Sequence, residues 1–308
     1  DYYASRGLGD VYKRQFPAMW KEPVRKAALR WNVAFEKIGL KNVIQARDFP
    51  KDDPTFDPDN LKYSCIRYVP AAITNAMGPS WTDPRTGEII NASVIIFNDV
   101  VKLANQWRFL QTSQVDPSVR TKKMPDNILE ESIEYIVAHE VGHTLGLMHN
   151  MSASAAYPVD SLRSTSFTRK YGVVASVMDD FTCNKIAQPE DVKKGVVLVQ
   201  QNLGPYDYEV IKYLYKPIME VKHFREEKAV LGQWIKEMQD KPYCLYMQTP
   251  DNWAKFDPRV SRKDLGDDPV KAREYIIRNL KIAINNFFEW YKDCLLYTSD
   301  AADDLIGV

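Results

Sequence analysis

Residues 139–150 read His139-Glu140-Val141-Gly142-His143-Thr144-Leu145-Gly146-Leu147-Met148-His149-Asn150, and three of the chain's four histidines fall within them. On an α-helix, residues four apart differ by roughly 40° in azimuth and ~6 Å in rise. His139 and His143 therefore project from one side, and both imidazoles can reach a single zinc ion at ~2.0–2.1 Å. Glu140, offset by about 100°, stands beside that ion rather than on it. There a general base can take a proton from metal-bound water. Gly146 permits the sharp turn that brings His149 back to the same ion. Three neutral ligands leave a fourth position open for water, as a catalytic zinc site requires. A lone HExxH arises often by chance; the extended HExxHxxGxxH pattern is far more specific.

The flanking sequence supplies the helix that the motif needs. Ile133, Val137, Val141 and Leu145 repeat at i,i+4, so one face can enter a core while the histidines face a cleft. Asn127 is placed to cap the helix, with Glu130 three residues on as in a capping box. Upstream, Val24, Ala27, Ala28, Trp31, Ala34 and Phe35 predict an amphipathic helix over 22–38, stopped by Gly39. Strands are expected at 43–46, 64–69 and 88–97, the last fed by the turn Asp83-Pro84-Arg85-Thr86-Gly87. The Asp/Pro-rich stretch 49–60 reads as a surface loop, and 100–110 as a helix. Beyond the motif, 205–215, 224–238 and 269–291 read as helices. His223, outside the motif, reads as a surface histidine.

Composition narrows the class of partner. Lys+Arg and Asp+Glu are both 41 among 308 residues, so the basic excess expected of a nucleic-acid binder is absent. Hydrophobic residues make up 45% and charged ones 27%, an ordinary globular composition, and no apolar run is long enough to span a bilayer. Cys65, Cys183, Cys244 and Cys294 show no CxxC spacing; buried free thiols and a single bridge both remain open. Calcium is not indicated: Asp residues are plentiful, but no EF-hand-like loop is present. The two ends, 1–15 and 294–308, resemble translated sequencing-adapter sequence and are set aside from fold reasoning. That leaves a natural part of about 16–293, with further domains expected upstream.

The extended histidine motif resembles that of the metzincin metallopeptidases. The resemblance implies a Met-containing turn beneath the metal, for which Ala175-Ser176-Val177-Met178-Asp179 fits, with Met178 under the imidazoles. Further segments narrow the likeness: Trp31-Asn32-Val33-Ala34-Phe35, Gly78-Pro79-Ser80, Asp83 to Ile89, Ala187-Gln188-Pro189-Glu190-Asp191, Asp257-Pro258-Arg259 and Asp264 to Asp268. These are similar to the Met-zincin-type catalytic domain of large zinc-dependent metalloproteases of Bacteroidota, over most of 16–293. The family implies a secreted or cell-envelope protein. It also implies that the strand before the active-site helix is an edge that pairs with extended substrate, which would give Asn91, Ala92 and Ser93 a substrate-binding role; a buried central strand is the competing reading of 88–97. One departure is visible: several metzincins carry a Tyr two residues after the turn Met, and here that residue is Asp180.

The expected fold is α/β, in the α+β zincin-like sense. An N-terminal subdomain (16–150) holds a twisted mixed sheet and the zinc-binding helix; a mostly helical C-terminal subdomain (151–293) carries Met178. The expected function is a zinc metalloendopeptidase acting on protein or peptide, with one Zn2+ on His139, His143 and His149, and Glu140 as the base. Two rivals stand beside it: a non-catalytic zinc-containing module that binds peptides or glycans, and a structural zinc protein, which would close the coordination with a fourth protein ligand.

Overall fold

The computed structural model describes residues 16–50, 53, 55–121, 124–248 and 260–295. The adapter-like segments fall outside these residues, apart from 294–295 at the end of the last helix.

The expected helix over 22–38 forms as two pieces, α1 (Lys21–Arg30) and α2 (Asn32–Lys37), hinged at Trp31. Val24, Ala27, Ala28, Trp31, Ala34 and Phe35 are all fully buried, as their helical spacing required. The strand expected at 43–46 does not form. Ile44 is buried, but its N–H donates to Asn32 Oδ1 (2.9 Å) and its carbonyl accepts from Asn32 Nδ2 (2.8 Å). One side-chain amide thus does what a neighbouring strand would have done for that residue, so no ladder is needed.

Four strands follow: β1 (Cys65–Val69), β2 (Ala76–Met77), β3 (Ser80–Thr82) and β4 (Ile89–Phe97). The sheet is mixed. β4 pairs in parallel with β1, Cys65 opposite Ser93, and antiparallel with both β2 and β3 on its other side. Expected as an edge, β4 is the middle strand, and the edge reading of Asn91, Ala92 and Ser93 is corrected accordingly. All three are buried, and Asn91 Nδ2 donates to the carbonyls of Leu61 and Tyr63. They present no free strand edge to a peptide. The exposed edge is formed by β2 and β3, which are too short to show an alternating pattern.

After β4 come α3 (Val100–Thr112) and the central helix α4 (Asp126–Thr144). The capping box expected at Asn127 is absent: the N-cap is Pro125, with no side-chain hydrogen bond, and its carbonyl accepts from Ile128 and Leu129. Arg108 of α3, only 2% exposed, bridges to Glu131 of α4 at 3.0 Å and reaches Asp116 at 3.4 Å. Two carboxylates thus share the one buried guanidinium, so its charge is not left without a partner where water cannot reach it. The C-terminal half is helical: α5 (Val159–Leu162), α6 (Thr165–Tyr171), α7 (Pro189–Lys193), α8 (Pro205–Tyr215), α9 (Phe224–Gln239) and α10 (Pro269–Leu295). The first three were not legible in the sequence.

Among the described residues, the buried apolar side chains form two clusters. The larger joins α1, α2, the sheet and α4 to Val177, Met178, Phe181, Leu203 and Ile211. The smaller gathers Tyr157, Leu162, Val174, Ile186 and Leu265. α4 runs through the larger one and is buried on almost every side from Leu129 to Thr144. Cys65, Cys183 and Cys244 are buried free thiols, pushed up to about 11 chiefly by burial; the side chain of Cys294 lies outside the described residues.

Candidate metal centre

α4 delivers His139 and His143 one turn apart, and Gly146, at φ +84°, reverses the chain so that His149 returns to them. The three Nε2 atoms lie 3.1, 3.2 and 3.2 Å from one another. Two ligands at ~2.0–2.1 Å around a tetrahedral ion sit roughly 3.3 Å apart, so the triangle is of the size zinc requires.

The chemistry of the donors points the same way. His139 Nδ1 is 2.7 Å from the carbonyl of Val177, and His143 Nδ1 is 2.8 Å from that of Leu147. A carbonyl only accepts, so each Nδ1 carries the proton and each Nε2 presents a lone pair. Lone pairs at hydrogen-bond distance repel unless a cation lies between them. Burial, with His143 and His149 adding to it, drives the His139 imidazole down to about 3; burial also lowers His143. Both rings are therefore neutral, the form that ligates. Among the described residues, no fourth His, Cys, Asp or Glu atom joins the group.

Glu140 is 8% exposed, and burial pushes its carboxyl up to about 7. It lines, with the three histidines, a cavity of about 370 Å³ whose other walls include Met77, Trp107, Tyr135 and Phe181. The wall is stiffened by ring contacts. Trp107 stacks on Phe181 with centroids 5.4 Å apart, Tyr135 meets Phe181 edge-on at 4.9 Å, and Lys263 Nζ lies 3.6 Å from the Trp107 centroid. Asp180 also faces this cavity, 3.8 Å from Lys263 Nζ. Where some metzincins have a phenol, this chain has a carboxylate beside an ammonium.

Several residues that build the centre were given no part in the site by the sequence. The Cβ of any residue at 78 would lie 2.1 Å from the Glu140 carbonyl oxygen, so Gly78 lets the β2–β3 edge pass directly over α4. Trp31, fully buried, donates its indole N–H to Ala138 O at 2.9 Å. Asn150, also fully buried, donates its backbone N–H to Met178 O. Its side chain donates to Leu245 O and accepts from Met247 N. It ties the residue after His149 to two distant segments. His223 caps α9, accepting from Arg225 N, a surface role as expected.

Gly142 lies between the two helical ligands. A Cβ there would sit 2.2 Å from Met178 Sδ and 2.9 Å from the Trp31 ring. Alanine would gain ~1 kcal/mol in helix propensity, but overpacking a filled core costs ~1–3 kcal/mol. Gly142→Ala is thus expected to lower the melting temperature by anything up to about 8 °C, at roughly 2–4 °C per kcal/mol for a chain of this size. A higher melting temperature would mean that Met178 can move aside freely.

The mixed α+β fold and the three-histidine centre define a zinc metalloprotease-like domain. A family model described as Met-zincin matches residues 121–299, more than half of the chain, and the protein belongs to that family. No curated protein and no solved structure matches it.

Proposed function

We propose that the protein is a zinc-dependent metalloendopeptidase, and the observation that carries this reading is the convergence of three neutral imidazoles beside a buried carboxylate in an open cavity. Zinc, when held there, supplies Lewis acidity: it makes water acidic near pH ~7 and polarises a carbonyl oxygen. Glu140 takes the proton of the attacking water and returns it to the leaving amine; it lines the same cavity as the three histidines, so it is placed for both halves of that task. The β2–β3 edge, with Met77 and Gly78 at the cavity, is suited to pair with an extended peptide by strand addition. Met178, in the turn that supplies the Val177 carbonyl to His139, takes the part of the Met-turn residue. The aromatic wall of Trp107 and Phe181 is fitted to an apolar substrate side chain.

A structural zinc site would need a fourth protein ligand, which the described residues do not supply. A non-catalytic binding module would have no use for Glu140. By family resemblance we place the protein in the cell envelope or outside the cell, acting on protein or peptide and not on nucleic acid. No helix among the described residues is long and apolar enough to cross a membrane.

The test is zinc stoichiometry measured alongside cleavage of casein, an unstructured substrate. One zinc per chain is expected, with proteolysis that is lost on chelation and restored by zinc. One zinc with no cleavage of casein or of a peptide library would instead favour the binding module.

A further inference from the structure

The carbonyl that orients His139 is itself at the end of a chain of hydrogen bonds. Val177 O accepts from His139 Nδ1 at 2.7 Å. That carbonyl shares its peptide unit with the N–H of Met178, which donates to Ser176 Oγ at 3.0 Å. The Ser176 hydroxyl in turn donates to Asp207 Oδ1 at 2.6 Å. The other carboxylate oxygen accepts from the N–H groups of Val177 (3.0 Å) and Gly204 (2.7 Å). Ser176, Val177, Met178 and Asp207 all have 0% exposure, so no solvent screens the chain.

Its polarity is fixed from one end. An ionised carboxylate only accepts, so the Ser176 proton points to Asp207, leaving an oxygen lone pair for the Met178 N–H. A peptide whose N–H is drawn toward a negative charge has a more basic carbonyl, because bonds in such a chain polarise one another. A more basic Val177 carbonyl pulls harder on the His139 Nδ1 proton and makes Nε2 the better donor to a metal. Burial lifts the Asp207 carboxyl only to about 6, which leaves it ionised at neutral pH.

We propose that Asp207 is a positioning residue for the metal centre, acting through Ser176 and the Val177–Met178 peptide to orient His139 and strengthen it as a ligand. The Asp207 carboxylate also holds the N-terminus of α8 against the turn, where a Cβ on Gly204 would lie 2.0 Å from Ala175 O. α8 is thereby coupled to a ligand on α4. This inference rests on reading the three histidines as a zinc centre, but not on proteolysis.

The test uses zinc alone, on the full chain, in competition with a chromogenic chelator. Ser176→Ala cuts the chain while leaving the two backbone donors on Asp207; Asp207→Asn keeps the shape and removes the charge. Each is expected to weaken zinc binding about 3–10-fold, below the ~10–100-fold range for loss of a group bonded directly to a metal ligand. Melts of the metal-free proteins establish that both variants fold. The decisive readout is the imidazole N–H proton resonance of zinc-loaded protein. The His139 signal should move upfield in Ser176→Ala, while that of His143, bonded to Leu147 O, stays in place. Zinc affinity within twofold of wild type, or weaker affinity with an unmoved His139 resonance, would overturn the proposal. Absence of zinc binding by the wild type would overturn the metal-centre reading, and the relay with it.

Discussion

Glu140→Gln is expected to retain one zinc per chain while kcat/KM for a peptide falls by about 10²–10⁴-fold, the usual contribution of a positioned acid–base group. Glutamine fills the same space, so the walls of the cavity and the three imidazoles should stay where they are. Its amide cannot take up a proton, however, and among the described residues no carboxylate joins the three histidines. Asp180 faces the same cavity, 3.8 Å from Lys263 Nζ, and is not one of the groups gathered with the histidines. The loss should appear in kcat more than in KM, because the proton moves only in the chemical step. Undiminished turnover with zinc in place would remove Glu140 from the mechanism.

His143→Ala should abolish metal binding itself, weakening zinc by more than the ~100-fold that marks the upper end for loss of an outer partner. Its Nε2 lies within 3.2 Å of both other ligand atoms, and two imidazoles cannot hold the ion as three do. Stability gives a second, activity-free measure. Zinc at ~1,000 times its Kd stabilises a folded protein by ~4.1 kcal/mol, so the wild-type melting temperature should rise on adding zinc and that of His143→Ala should not. Without metal the two proteins should melt at similar temperatures, since removing one ring also removes a crowding of lone pairs. Full zinc occupancy in the variant would refute the ligand role of His143.

The metal centre was legible because its chemistry is local. The spacing of His139, Glu140 and His143 on a helix, the turn at Gly146 and the return of His149 are properties of eleven consecutive residues, and helix geometry converts them directly into a site. What the sequence hid was decided by partners far along the chain. Val43–Ala46 has the composition of a strand, yet Asn32 satisfies the backbone of Ile44 with a side chain. The apolar run Ile89–Phe97 reads equally well as a central strand or a half-buried edge. Only pairing with β1 on one side and β2 and β3 on the other distinguishes them. β2 and β3 have two and three residues, too few to display a period of two. Asp207 looked like any acidic residue in the first turn of a helix, where such residues are common. Its place behind His139 depends on the approach of α8 to the turn at Ser176.

Asn150 has a consequence for the timing of assembly. Its side-chain partners Leu245 and Met247 follow it by 95 and 97 residues. At ~5–20 residues per second of synthesis, those partners reach the growing protein roughly 5–20 s later. A nascent chain therefore carries His139 and His143 on a segment already made, while the third histidine still waits for the strand of backbone that will hold its neighbour. The histidine centre is therefore complete only once residues well downstream of it have been made, although its ligands are read from one short stretch.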